Sequence, residues 1–190
     1  MIKSIKHFSP SCLIHHISLT NTHISSLSRP ISTTTHHSYT TSLPSDHSKI
    51  VDGLISIFTK PPLDPESQEL RDFGSKLTTD IVENVLRGFK NWKIAHMFFN
   101  WSSNQSGYAH NCYTYNAMAS ILSHARQNAP LRVLAMDVVN SGCSLTPGAL
   151  GFFVRCLGDQ GLVNEANVLF DRVRKMGLCV PNNYSYNFLL

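Results

Sequence analysis

Cysteine, histidine and carboxylate side chains are where catalysis or metal binding would begin, and their spacing in this chain favours neither. The five cysteines (Cys12, Cys112, Cys143, Cys156 and Cys179) form no C-x-x-C pair and have no histidine at zinc-ligand spacing. Reduced thiols are therefore expected, with Cys156 on a helix and the others near helix ends or in the N-terminal tail. The pairs His15-His16 and His36-His37 lie in a Ser/Thr-rich stretch and read as composition rather than as metal ligands. There is no phosphate-binding glycine loop, no G-x-S-x-G and no H-E-x-x-H. Asp137, Asp159, Glu165 and Asp171 are expected at helix ends or outward faces, in water. No catalytic residue, cofactor, metal or small-molecule substrate is expected. Two further polar side chains stand in a recurring motif: Asn116 and Asn187, in Thr114-Tyr115-Asn116 and Ser185-Tyr186-Asn187. Each amide carries two donors and an acceptor, although Asn at a helix start also serves as a cap.

The elements that would position these amides emerge from composition and periodicity. The 190 residues are 42% hydrophobic and 15% charged, enough for one ordinary domain plus a tail. No apolar run approaches the roughly 18–20 residues of a membrane span. The formal charge of +4 is mildly basic and unevenly spread. Residues 1–45 contain no acid, hold Lys3, Lys6 and Arg29, and are Ser or Thr at 18 positions. Ile2, Ile5 and Phe8 recur every third residue before Pro10. That pattern predicts a disordered organellar transit peptide, mitochondrial in preference to chloroplast. A secretory signal does not fit, because Ser, His and Thr interrupt every apolar stretch. Residues 46–75 hold six acids against three bases, with Pro61, Pro62 and Pro65. Ile50, Val51, Leu54, Ile55 and Phe58 predict one short helix, followed by a proline-rich linker acting as a bridge.

Beyond residue 75 the chain keeps a 35-residue beat. Gly107, Gly142 and Gly177 are spaced by that interval, as are Phe99, Leu134 and Leu169. Leu122 and Leu157, and Val138 and Val173, share it too. Each unit shows two stripes at helical spacing, such as Leu150, Phe153, Val154 and Leu157, then Val163, Ala166, Phe170 and Val173. The others are Val82, Val85, Leu86 and Phe89; Ile94, Met97, Phe98 and Trp101; Tyr115, Met118, Leu122 and Ala125; and Leu131, Leu134, Ala135 and Val138. Six amphipathic helices follow. Phe98, Phe99 and Trp101 are expected in the core rather than as a base-stacking platform. Thr146-Pro147 predicts an N-cap with proline at the first helical position, and Asp80 with Glu83 a capping-box variant. Gly161 separates paired helices, while Gly142 and Gly177 close second helices. The fold class is all-α, an α-solenoid of stacked hairpins in an open right-handed superhelix, each shielding its neighbour's apolar face.

Tyr115-Asn116, Gly161, Glu165-Ala166 and Gly177 together resemble pentatricopeptide repeats. Asn91-Trp92-Lys93-Ile94-Ala95 followed by Phe98-Phe99-Asn100-Trp101 is similar to the degenerate leading repeat of plant organellar members. The resemblance covers about 76–190, with units at 76–111 (degenerate), 112–146 and 147–182 and a partial unit at 183–190. It implies binding of single-stranded organellar RNA, one base per repeat, in support of transcript processing, stability, editing or translation, alongside other organellar RNA-processing proteins. Base reading falls to the residue two past the first-helix Thr/Ser and to the last residue of the repeat. The resemblance thereby assigns Asn116 with Thr146, Gly151 with Asn182, and Asn187 with no partner. Asp80 with Asn111 would serve the degenerate unit. In the family, Asn at the first position goes with pyrimidines, and an amide suits a Watson–Crick edge. Gly151 departs from the pattern, having no side chain to offer, and Thr146 is an uncommon partner.

Residues 76–190 hold ten bases against six acids, a modest net +4 in the direction RNA requires, and Arg172, Arg174 and Lys175 could touch phosphates. A protein-binding scaffold of the tetratricopeptide kind is the alternative, but its spacing is 34 and its Trp-x-x-Leu-Gly signature is absent. The sequence stops at Phe188-Leu189-Leu190 inside a first helix, which predicts the N-terminal portion of a longer protein or a truncated product. Stacking contributes about 1–3 kcal/mol per base against association costs of about 4–15 kcal/mol, so binding by this length alone should be weak.

Overall fold

A computed structural model describes residues 46–60, 62–64 and 67–189. The transit-peptide assignment, with Cys12 and the two histidine pairs, lies outside the described residues. In chain order the helices are α1 (Asp46–Thr59), α2 (Gln68–Gly74), α3 (Thr79–Gly88), α4 (Trp92–Ser103), α5 (Cys112–His124), α6 (Asn128–Asn140), α7 (Pro147–Gly158), α8 (Val163–Lys175) and α9 (Asn183–Tyr186). The described residues contain no strand, and the protein is all-α.

The sequence stripes explain why the helices form and which faces they bury. Residues at equal positions of the beat share equal environments: Phe99, Leu134 and Leu169 are all buried, as are Leu122 with Leu157 and Val138 with Val173. Successive first helices α3, α5, α7 and α9 pack side by side, and α6 packs on α8 in a second layer. Polar bonds tie neighbouring hairpins together. Ser123 Oγ donates to the Cys156 carbonyl (3.3 Å), Asn128 Nδ2 to the Gln160 carbonyl (3.4 Å) and Leu145 N to the Leu178 carbonyl (2.8 Å). Glu165 is not simply solvated as expected: half-buried, it pairs with Arg132 of α6 at 2.7 Å.

Turn chemistry sets the beat. Gly107, Gly142 and Gly177 have φ of +82°, +68° and +68°, and open space surrounds the site of any added Cβ. Backbone sign rather than crowding therefore selects glycine there. Gly161 has φ +71°, and the residue 35 before it, Arg126, takes the same left-handed region at +54° with a side chain. Thr146 caps α7 through Ala149 N (3.1 Å) with Pro147 behind it, as expected.

Several expectations need correcting. The α3 cap is Thr78, whose hydroxyl accepts from Ile81 N at 3.2 Å, so Asp80 and Glu83 form no capping box. Met97 and Val163 are exposed, because Ala95 and Phe99 set the phase of α4, and Leu162 and Leu169 that of α8. The largest revision concerns 46–75, which is no simple bridge. Helix α1 packs on α3 much as α3 packs on α5, burying Leu54 fully. Its Phe58 enters the aromatic cluster of the first hairpin, 5.1 Å edge-on from Phe98 and 5.4 Å from Trp101. The expected linker also contains α2, capped by Ser67 and burying Leu70. Helix α1 thus covers α3 and α4 on the side away from α5, and α2 packs against α1.

Candidate functional site

Helix α5 runs through the middle of the first-helix layer, and its entry is tightly fixed. Asn111 Oδ1 accepts from Tyr113 N (3.0 Å) and Thr114 N (3.1 Å), while Asn111 N donates back to Thr114 Oγ1 (3.0 Å), a reciprocal cap. Just before it, the His110 ring stacks on Phe99 with centroids 3.7 Å apart and 5° between planes. His110 Nε2 lies 3.0 Å from the Phe99 carbonyl and must donate to it, so Nδ1 is the acceptor for the Tyr108 hydroxyl at 3.1 Å. Burial pushes the imidazole down to about 4, only partly offset by the Phe99 carbonyl. Burial likewise raises the Tyr108 and Tyr115 phenols and the Cys143 and Cys156 thiols, to about 12 and about 11 for the thiols, so none is an activated nucleophile.

Beyond this anchor, α5 presents one face to a hollow of about 330 Å³. Asn116 lines it with Tyr113, Glu83 and Arg87 of α3, and Phe152 of α7. The Asn116 Oδ1 is buried yet has no protein hydrogen-bond partner. An unpaired buried acceptor costs about 1–3 kcal/mol, and the Asn128 Oδ1 is in the same position. Tyr113 is 55% exposed beside it. Arg87 pairs with Glu83 one turn away, and Arg155 lies over the Phe152 ring at 5.1 Å. One guanidinium group, Arg87, thus lines the same hollow as an amide and two aromatic rings, an arrangement suited to an unstacked base and its phosphate.

The other sequence-assigned positions do different work. The Thr146 hydroxyl accepts from Ala149 N, leaving its proton to donate. Asn182 caps α9 through Ser185 N (3.1 Å), as Asn111 caps α5. Asn187 follows α9 and is exposed. Gly151 is buried where α7 meets the end of the chain; a Cβ there would stand 2.7 Å from Phe188 Cδ2. Its lack of a side chain thus has a packing reason. Asp80 lies 2.7 Å from His47 Nε2 of α1. Sequence reasoning missed Tyr113, Glu83, Arg87 and Phe152. One signal was present: Tyr184 follows Tyr113 by 71 residues, the interval of the paired Tyr-Asn motifs, and is exposed to 56%.

No family model matches the chain. Among curated proteins it is similar to a putative pentatricopeptide repeat-containing protein of Arabidopsis thaliana named as mitochondrial, at 56% identity over 164 residues, 86% of this chain and 20% of that protein. A second mitochondrial pentatricopeptide repeat-containing protein of Arabidopsis thaliana is 42% identical over 111 residues, 57% of this chain and 20% of its own length. A third, also named putative and mitochondrial, is 29% identical over 116 residues, 60% of this chain and 11% of its own length. The chain spans a fifth or less of these relatives. Their mitochondrial names agree with the organelle favoured by the leader's composition.

Proposed function

Because the chain belongs to the pentatricopeptide repeat family, we propose that it binds single-stranded RNA in the mitochondrion along its first-helix layer. The observation that carries this is the unpaired Asn116 Oδ1 at a hollow lined also by exposed Tyr113 and by Arg87. A base edge meets the amide, the phenol ring offers a stacking face, and the Arg87 guanidinium meets a phosphate. The reading units are 76–111, 112–146 and 147–182, with a partial unit from residue 183. Asn116 with Thr146 forms the principal reader. Asn182 retains its amide donors while capping α9, but Gly151 opposite contributes nothing beyond backbone, so that unit discriminates little. Asn187 is the corresponding residue of the partial unit. The protein acts by occupying a stretch of transcript, supporting its processing, stability, editing or translation, with other mitochondrial RNA-processing proteins as partners.

Fluorescence anisotropy at low salt with labelled oligouridylate and oligoadenylate tests this. The wild-type chain should prefer oligouridylate, and Asn116→Ala should reduce that preference about fivefold, the loss of one net hydrogen bond. Unchanged preference in Asn116→Ala would remove the base-reading role from this residue.

A further inference from the structure

The hollow at Asn116 does not end at Asn116. The half-buried stripe of α5 continues through Ser120 and Ile121 into a second cleft of about 580 Å³, closed on the far side by the α3–α4 turn. Lys90, Asn91 and Trp92 from that turn face Ser120, Ile121 and His124 from α5. From Asn116 to His124 the helix rises about 12 Å, a span bridged by a short run of nucleotides.

The charge and hydrogen-bonding capacity of this cleft are specific. Lys90 is exposed, and no carboxylate lines the cleft among the described residues. His124 Nδ1 lies 2.8 Å from the Ser120 carbonyl of its own helix. A carbonyl only accepts, so Nδ1 carries a proton, and in the neutral form of the ring Nε2 is the acceptor. Among the described residues no hydrogen-bond partner occupies that nitrogen. An ammonium and an imidazole acceptor lining one cleft offer partners to two groups of a ribonucleotide: the phosphodiester, which only accepts, and the ribose 2′-hydroxyl, which donates.

We propose that the cleft between the α3–α4 turn and the end of α5 is a ribose-phosphate site, where Lys90 holds a phosphodiester and His124 Nε2 accepts a ribose 2′-hydroxyl. This rests on RNA binding along the first-helix layer and deepens it: the site distinguishes RNA from DNA without regard to base, whereas Asn116 reads the base. Lys90 supplies a salt-dependent contact, and His124 a salt-insensitive one.

The test uses the full chain, labelled oligouridylate and its 2′-deoxy counterpart, over a salt series in mildly alkaline buffer that keeps imidazole neutral. Both residues are exposed, and circular dichroism confirms that each variant folds. The wild type should bind the ribo-oligomer about threefold to tenfold more tightly than the deoxy-oligomer. His124→Phe should abolish that ratio by weakening ribo binding alone. Lys90→Ala should weaken both and lower the slope of log affinity against log salt by about 1. Failure of the wild type to bind oligouridylate at low salt would overturn RNA binding and this site together. Binding with an unaltered ribo/deoxy ratio in His124→Phe, or an unaltered slope in Lys90→Ala, would overturn this site alone.

Discussion

His110 couples the stability of the chain to pH. Its neutral ring is stacked on Phe99 and bonded at both nitrogens, and protonation would put two donors where one acceptor is needed. The folded imidazole titrates near 4 against an ordinary 6.5, so as pH falls the unfolded chain takes up the proton first. The stabilisation is complete above 6.5 and declines as pH drops towards about 4, by up to about 3 kcal/mol. Urea titrations between neutral and acid pH should show this decline, and it should vanish in His110→Gln, which has no proton to gain. Little of this was visible in the sequence, since the partners of His110 sit eleven residues before it, two before it and four after it. Asn116 was legible because a motif surrounds it. Its neighbours Arg87 and Phe152 come from other helices, and no local pattern announces that meeting.

At the scale of elements, legibility tracked length and periodicity. Helices α3 to α8 each carry at least two turns of apolar spacing and a glycine, proline or capping side chain at an end, so they were readable. Helix α2 has seven residues and only Leu70 and Phe73 as its apolar pair, too little for a period to register. Helix α1 was readable as a helix, but its partner was not, because Phe58 meets Phe98 and Trp101 some forty residues downstream. The packing assigned to α1 has a direct consequence. Leu54 is fully buried against the stack, so Leu54→Ala should cost about 2–5 kcal/mol and lower the melting temperature of the whole cooperative unit. Were α1 merely a bridge, the same change would leave the transition in place; differential scanning calorimetry separates the two.

At the scale of the molecule, the repeated hairpins form a quasi-one-dimensional stack in which each contacts its neighbours. That arrangement places Arg87, Asn116 and Phe152, from three successive first helices, around one hollow, and carries the groove on to Lys90 and His124. The translational recurrence was legible from the 35-residue beat alone. The groove was not, because it depends on the side chains that successive units happen to place next to one another. On the proposed function, with Asn116 as the principal reader, affinity for RNA should be low and strongly salt-dependent. The most direct measurement is photocrosslinking of a 4-thiouridine-labelled single-stranded RNA to the full chain, with attachment sites mapped by mass spectrometry. Crosslinks should fall on α3, α5 and α7, centred on Tyr113 and Asn116. Crosslinks confined to α4, α6 and α8 would contradict the account.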